Sequence, residues 1–493
     1  MKMLYNKHME YLYRYRSIKS LFKYKELDNL SIYFAKPDEL NDQMEKYMNV
    51  VWQGDAIAFQ GLFKHYLYTL THLYFSASVR NPKQDIDVNN LPIFLDIKVL
   101  EAPEMQDLFK DIYNKFFAFS GVAQFPSKMA ASKKKFTIDE MVFVFRGLHL
   151  YAYTVIDIVI KSYFFGKNRA NTLEEVYDMV TQWNGYNQIL DILTSGKYSA
   201  EQMEQAKIDF ISQQQVYREL LNKELYKDKN THNISLLTFD FPEVYMRNIT
   251  KLLYNGYCVA CFSETYQNEP MWAHYANSEK GICLKYKIRH NNGTDCLNLY
   301  SINNTIVNGK EEKIEKGFHD VPVFRVSYSN EYPEIDFFTS LGVLPMPIIR
   351  YFWLCNYDKT EFSSCLESYQ PVEQWAVKYH QKAVKHICTK AQNWSYEQEY
   401  RIFQRDVFTP LSENEENRIA TYSITDLEAI IFGRNVSSEE KRKIINIINT
   451  HCHKKNHSVK FYDLYYSTIT KKLELKNCLD ALTFKNLKDT SRE

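Results

Sequence analysis

Between residues 53 and 240 the chain carries five runs, 55–79, 104–119, 137–165, 173–193 and 200–226, in which apolar side chains recur every three or four positions. That spacing lays an apolar stripe along one side of an α-helix, and the runs are too long for ordinary strands. Gly and Pro number only 14 and 13 among 493 residues, which also favours long helices over a many-stranded β protein. Ser199 followed by Gln202 gives the last run a capping-box start. The block is rich in Tyr and Phe, and these rings are expected to fill its helical core.

On either side of this block the patterning changes. Tyr257-Cys258-Val259-Ala260-Cys261-Phe262 reads as a buried strand, and 419–424, 429–432, 459–466 and 472–475 read as further strands. Gly433 ends one of them, and Ser437-Ser438-Glu439-Glu440 opens a helix that runs to about Thr450. The mostly polar stretch 303–322 reads as a loop. The predicted class is therefore α+β: a compact mixed β-sheet domain of catalytic type, built from 1–52 and 241–479 and interrupted by an all-helical insertion at 53–240. Residues 480–493 form a flexible polar tail.

Charge sets limits on function. With 61 basic against 60 acidic residues no global field recruits nucleic acid, so such a partner would need a local patch. The opening Met1-Lys2-Met3-Leu4-Tyr5 lacks the apolar core of a signal peptide, which predicts a cytoplasmic protein. Nine cysteines, an odd number and all beyond residue 257, agree with that reading. Cys258-x-x-Cys261 and His451-Cys452-His453 have zinc-ligand residue types, but Cys258 lies in an apolar run where a free thiol behaves as a small hydrophobe. The apolar stretch 141–165 is interrupted by Arg146, His149, Asp157 and Lys161, which suits a buried core helix better than a membrane span.

The chemistry concentrates in Trp394-Ser395-Tyr396-Glu397-Gln398-Glu399-Tyr400-Arg401-Ile402-Phe403. Tyr400 to Phe403 favour a strand, on which Glu397 and Glu399 point the same way. Paired carboxylates raise each other's pKa and need a cation nearby. The bland alternative is a solvated edge on which one Glu pairs with Arg401 or a neighbouring Lys.

Other motifs accompany this segment: Leu12-Tyr13-Arg14-Tyr15-Arg16, Ile32-Tyr33-Phe34, Asn41-Asp42-Gln43-Met44-Glu45, Cys261-Phe262-Ser263, Met271-Trp272-Ala273-His274-Tyr275-Ala276 and Lys280-Gly281. In this order they resemble an uncharacterised bacterial domain-of-unknown-function family marked by LYRYR, NDPxE, WxxYA followed by KG, and WxxExEYR. The resemblance covers about 10–52 and 255–435. Gln43 stands where that family has Pro, which loosens the expected turn without removing a chemical group.

The order of an N-terminal Arg, a Ser ending a buried strand and a later E-x-E is also similar to that of ADP-ribosyltransferases of the Arg–Ser–Glu class. The likeness implies NAD as substrate and no metal. On it, Arg14 or Arg16 grips the pyrophosphate, while Ser263 and Glu399 act at the nicotinamide-ribose and Glu397 orients or deprotonates the acceptor. Tyr33, Trp272, Tyr275, Trp394, Tyr396 and Arg401 complete the expected nucleotide-binding set. Such stand-alone transferases or NAD-cleaving enzymes serve as bacterial toxins or anti-phage defence effectors. The acceptor, protein or nucleic acid, stays open, and the helical block is a candidate partner surface.

Two other readings stay open. Asp42, Glu45, Glu397 and Glu399 suit Mg²⁺ in a nuclease or phosphoesterase. Alternatively the cleft senses a nucleotide without turning it over.

Overall fold

The structure, a computed structural model, describes residues 9–42, 45, 48–79, 86–91, 93, 102–165, 185–225, 235–308, 311–406 and 414–479. The expectations for the first eight residues, for Gln43, for the 173–184 part of the run 173–193 and for the tail 480–493 lie outside these. The class is α+β, and the chain divides into two compact units. Met1–Met48, Asn255–Pro333 and Val384–Glu493 form the first; Asn49–Tyr254 and Glu334–Ala383 form the second.

The first unit is built on a sheet of eight strands: β1 (Tyr11–Ser17), β2 (Tyr257–Ser263), β3 (Gly281–Lys287), β4 (Phe324–Arg325), β5 (Glu399–Arg405), β6 (Leu427–Phe432), β7 (Lys460–Ser467) and β8 (Lys472–Asn477). Their order across the sheet is β4-β5-β2-β1-β3-β6-β7-β8. β6 and β7 run parallel and the other neighbours antiparallel, so the sheet is mixed.

Alternation along these strands decides the two faces. Leu12, Ala260, Phe262, Leu284, Ile402 and Ile430 enter a core that Ile444, Ile445 and Ile448 of the helix Ser438–Lys455 help to close. Each of the Leu, Ile and Phe side chains is worth about 1.5–3 kcal/mol of burial. Tyr15, Trp272, Cys283, Ile431 and Leu464 form a smaller cluster on the other face. The same alternation puts Cys258 and Cys261 on opposite faces, so the two thiols do not make a joint zinc site. The Lys-Gly pair of the motif set has a steric reason: a Cβ on Gly281 would lie 2.3 Å from the Arg16 carbonyl oxygen.

Residues 303–308 and 311–322 are not a loop. They belong to the paired strands Thr294–Asn308 and Glu311–Pro322 of a second sheet. Their charged residues hide the strand signal, which rests on Ile302, Thr305, Ile306 and Val307 and on the pairing itself.

The second unit holds the helices Ala56–Val79, Pro103–Ala118, Ile138–Phe165, Gly185–Thr194 and Ala200–Leu225, with a small sheet of Ile335–Asp336, Val50–Trp52 and Phe136–Thr137. Residues 334–383, grouped by sequence with the motif-bearing half, are part of this unit. Its rings do fill the core: Tyr66 stacks on Phe145 at 4.2 Å and meets Tyr245 edge-on at 5.0 Å. The reciprocal bonds between Ser199 and Gln202 cap the last helix.

The segment Ile138–Phe164 is long and apolar enough to cross a bilayer, yet 67% of its most apolar window is buried inside the protein. Its polar groups are paired internally. Arg146 meets Glu243 at 2.7 Å, His149 donates from Nε2 to the Leu237 carbonyl and accepts from the Tyr66 hydroxyl, and Asp157 holds Lys161.

Candidate functional site

The site lies in the first unit, where the ends of β1, β2 and β5 meet. Ser263 stands opposite Glu399 on one side and Tyr13 on the other. β2 and β5 continue in register for seven pairs, whereas β1 and β2 share only Tyr13↔Ser263. A cleft of about 220 Å³ opens there, lined by residues of β1, β2 and β5 and by Tyr33, Asn41, Glu45, Tyr275, Lys390 and Glu397.

Glu397 is not on the strand. It ends the 3₁₀ turn Gln392–Glu397, and Gln398 then takes a left-handed conformation, φ 45° and ψ 52°, before β5 begins at Glu399. The left-handed step costs a non-glycine residue of order 1–3 kcal/mol and re-aims the chain, so both carboxylates still converge. They converge on Lys390. Its Nζ lies 2.7 Å from Glu397 Oε2, 3.2 Å from Glu399 Oε2 and 3.3 Å from Glu45 Oε1.

Arg401, two residues along β5, supports the same group from behind. Its Nε donates to Glu399 Oε1 at 2.8 Å, its Nη2 to Glu45 Oε1 at 2.7 Å, and its Nη1 to the Ile387 carbonyl at 2.6 Å. With 2% of its surface exposed, Arg401 holds the carboxylates in place and does not reach a ligand. Tyr275 donates to Glu397 Oε1 at 2.5 Å, and Trp394 lays its ring 4.7 Å from the Lys390 ammonium. Asp42 accepts from the Ala391 amide, so both acids of the Asn41–Glu45 motif secure the Lys390 turn.

The two central carboxylates are driven apart in proton affinity. Burial pushes Glu399 up, but Arg401 and Lys390 overcome it and hold the group at about 2. Burial also raises Glu397; Lys390 opposes this, the Glu399 charge adds to it, and the net shift is upward. Burial alone would lower Lys390, but Glu399, Glu45 and Glu397 more than offset it, so the amine stays charged. Glu45 Oε2 is buried with no hydrogen-bond partner among the described residues.

The two N-terminal arginines differ. Arg16 is paired with Glu26 through both Nε and Nη2. Arg14 is 7% exposed, donates from Nη2 to the Tyr33 carbonyl at 3.1 Å, and has no carboxylate within 4 Å among the described residues. Burial and the neighbouring Arg16 charge lower its pKa. The pleat sends the Arg14 side chain to the opposite face of β1 from Tyr13, with its guanidinium 5.9 Å from the Phe262 ring centroid, and both residues border the cleft.

Arg14, Arg16, Tyr33, Ser263, Tyr275, Glu397 and Glu399 thus border one cleft. Besides Arg401, which sequence places in the nucleotide-binding set and which lies behind the carboxylates, four expectations need correction. Ser263 is fully buried and gives its hydroxyl to the Glu397 carbonyl at 2.9 Å, so it positions the carboxylate turn. Trp272 is fully buried, donates to the Tyr266 carbonyl and packs edge-on against Tyr15. Trp394 covers Lys390, and Tyr396 packs against the small core cluster; neither borders the cleft. Lys390 itself was not anticipated. Its one sequence signal is indirect, since three gathered acids need more positive charge than Arg401 supplies.

Residues 271–402 match the family described as a protein of unknown function (DUF2971). That span carries Tyr275, Lys390, Glu397, Glu399 and Arg401. No curated protein and no solved structure matches the chain.

Proposed function

We propose that the cleft binds NAD and cleaves its nicotinamide–ribose bond, passing ADP-ribose to water or to an acceptor. One observation carries this reading: a buried guanidinium with no carboxylate within 4 Å among the described residues borders the same cleft as two carboxylates whose proton affinities are driven apart. Arg14 is suited to a pyrophosphate, whose negative charge would relieve its burial. Glu399 keeps its charge at any working pH and is suited to an oxocarbenium-like transition state. When the C–N bond breaks, nicotinamide leaves with the electron pair. The incoming nucleophile gives its proton to Glu397, whose raised pKa suits a general base. The cleft volume falls below the roughly 300–1,000 Å³ of whole-ligand pockets, so it takes the nicotinamide-ribose end and leaves the adenosine outside.

A competing metal reading places Mg²⁺ among Asp42, Glu45, Glu397 and Glu399. Lys390 Nζ occupies the centre of three of these acids, where such an ion would sit. A nucleotide sensor without turnover has one observation in its favour: every oxygen of Glu397 and Glu399 already has a partner.

The test is nicotinamide release from NAD, with and without EDTA. Metal-independent release that falls at least about 10²-fold in Glu399→Gln, with a raised KM in Arg14→Lys, is expected. Because Glu399 also anchors Arg401, circular dichroism must show that the variant is folded. Tight NAD binding with no release by the wild type would favour the sensor, and EDTA-sensitive cleavage of DNA or RNA the metal site.

A further inference from the structure

The helical unit holds a buried amine–thiol pair that the cleft does not use. Lys64, on the helix Ala56–Val79, is 4% exposed, and among the described residues no carboxylate lies within 4 Å of its ammonium. Its polar neighbour is the thiol of Cys355, 291 residues along the chain, with Nζ 3.9 Å from Sγ. Cys355 is itself 1% exposed. A buried lysine normally has a paired acid, because an uncompensated ammonium in an apolar interior is costly.

The wall around the pair is rigid. The His65 ring stacks on Trp353 with centroids 3.9 Å apart and planes 9° apart, and its Nε2 donates to the Phe352 carbonyl at 2.9 Å. These contacts fix the Lys64 backbone against the segment that carries Cys355. Burial and the nearby Lys359 charge lower the amine to about 8, only partly offset by Cys355, and burial raises the thiol. A minor fraction of the amine, about a tenth at pH 7, is therefore unprotonated and available as a nucleophile.

We propose that Lys64 and Cys355 form a reversible covalent link under peroxide. Hydrogen peroxide first oxidises Cys355: a sulfur–oxygen bond forms, the peroxide O–O bond breaks, and water leaves behind a sulfenic acid. The Lys64 lone pair then attacks sulfur, the S–O bond breaks, and the departing hydroxide takes the amine proton as a second water. The resulting sulfenamide S–N bond leaves the chain lighter by two hydrogens. A thiol reductant restores both side chains by thiol exchange at sulfur.

The experiment treats the full-length protein with stoichiometric hydrogen peroxide and follows it by intact mass and tryptic mapping. The expected product is a Lys64–Cys355 cross-linked peptide two hydrogens lighter than its parts, with no cleavage after Lys64 and full reversal by dithiothreitol. In Lys64→Met, which keeps a buried side chain of similar length, Cys355 should instead be trapped by dimedone as sulfenic acid. Free sulfenic or sulfinic acid at Cys355 in the wild type, without the cross-link, overturns the proposal. So does oxidation confined to other cysteines. If Lys64→Met does not fold, the wild-type mass and tryptic map decide alone: the link shows as a loss of two hydrogens with Lys64 and Cys355 in one peptide, and a gain of oxygen on Cys355 overturns the proposal.

Discussion

Lys390 turns a set of like charges into a stable group. Three carboxylates within 3.3 Å of one ammonium, with Arg401 behind them, form a network in which every member depends on the others. The acids were legible in the sequence because E-x-E and the Asn41–Glu45 motif are local patterns. Lys390 was not, because a single Lys among 61 basic residues carries no local mark and is defined only by where the chain brings it. The network makes a prediction about acid stability. Glu399 titrates at about 2 when folded against an ordinary 4.5, so the folded state binds its proton more weakly than the unfolded chain. That stabilisation, on the order of 3 kcal/mol, is complete above about pH 4.5 and is lost as the pH falls through about 2. Arg401→Met removes the largest opposing charge. The variant should be about 3–5 kcal/mol less stable near neutral pH and should lose most of the acid slope. Urea unfolding at several acidic pH values measures both, and a wild-type slope in the variant would mean that Arg401 does not hold Glu399 down.

At the level of elements, patterning found most of what it addressed, and it failed where pairing or a single dihedral decides. The helices over 56–79, 103–118, 138–165 and 200–225 follow from apolar spacing, and the capping box at Ser437 and Glu440 starts its helix as expected. The ribbon over 294–322 was missed because its strands satisfy each other's backbone without a fully apolar face. Glu397 was placed on a strand because spacing by two implies alternation. The left-handed Gln398 reaches the same convergence by another route, and no propensity marks it. This turn can be tested. Gln398→Gly removes the steric cost of a positive φ while adding backbone entropy to the unfolded chain, so stability should stay within about 0.5–1 kcal/mol and nicotinamide release should persist. Gln398→Val puts a β-branched side chain into the left-handed region and should cost about 1–3 kcal/mol, with release falling as the carboxylates separate. Equal thermal midpoints and equal activity for the two variants would show that the turn does not set the site.

For the whole molecule, the sequence indicated a helical block between two motif-bearing halves but grouped 334–383 with the motif-bearing half. Those residues belong to the helical unit because its core needs them. Phe337 stacks on Trp52 at 5.5 Å, Phe338 meets Phe59 edge-on at 5.2 Å, and Ile335 and Asp336 pair with Val50 and Val51. No periodicity within 334–383 announces partners some 280 residues away, which is why composition and spacing alone left the segment with the other half. This division yields a deletion prediction. Removing 53–240 alone strips Phe338 and Trp353 of the helices they pack on and leaves fully buried rings in water, each worth about 1.5–3 kcal/mol of burial. That chain should aggregate or bind hydrophobic dyes. Replacing both 49–254 and 334–383 by flexible Gly/Ser linkers removes the helical unit as a whole and leaves the eight-stranded sheet with its own core clusters. The shortened protein should unfold cooperatively in urea and retain the Lys390 network, read as the same loss of stability on Arg401→Met. If it fails to fold while the simple 53–240 deletion folds, residues 334–383 are needed by the sheet unit and the two-core division does not hold in solution.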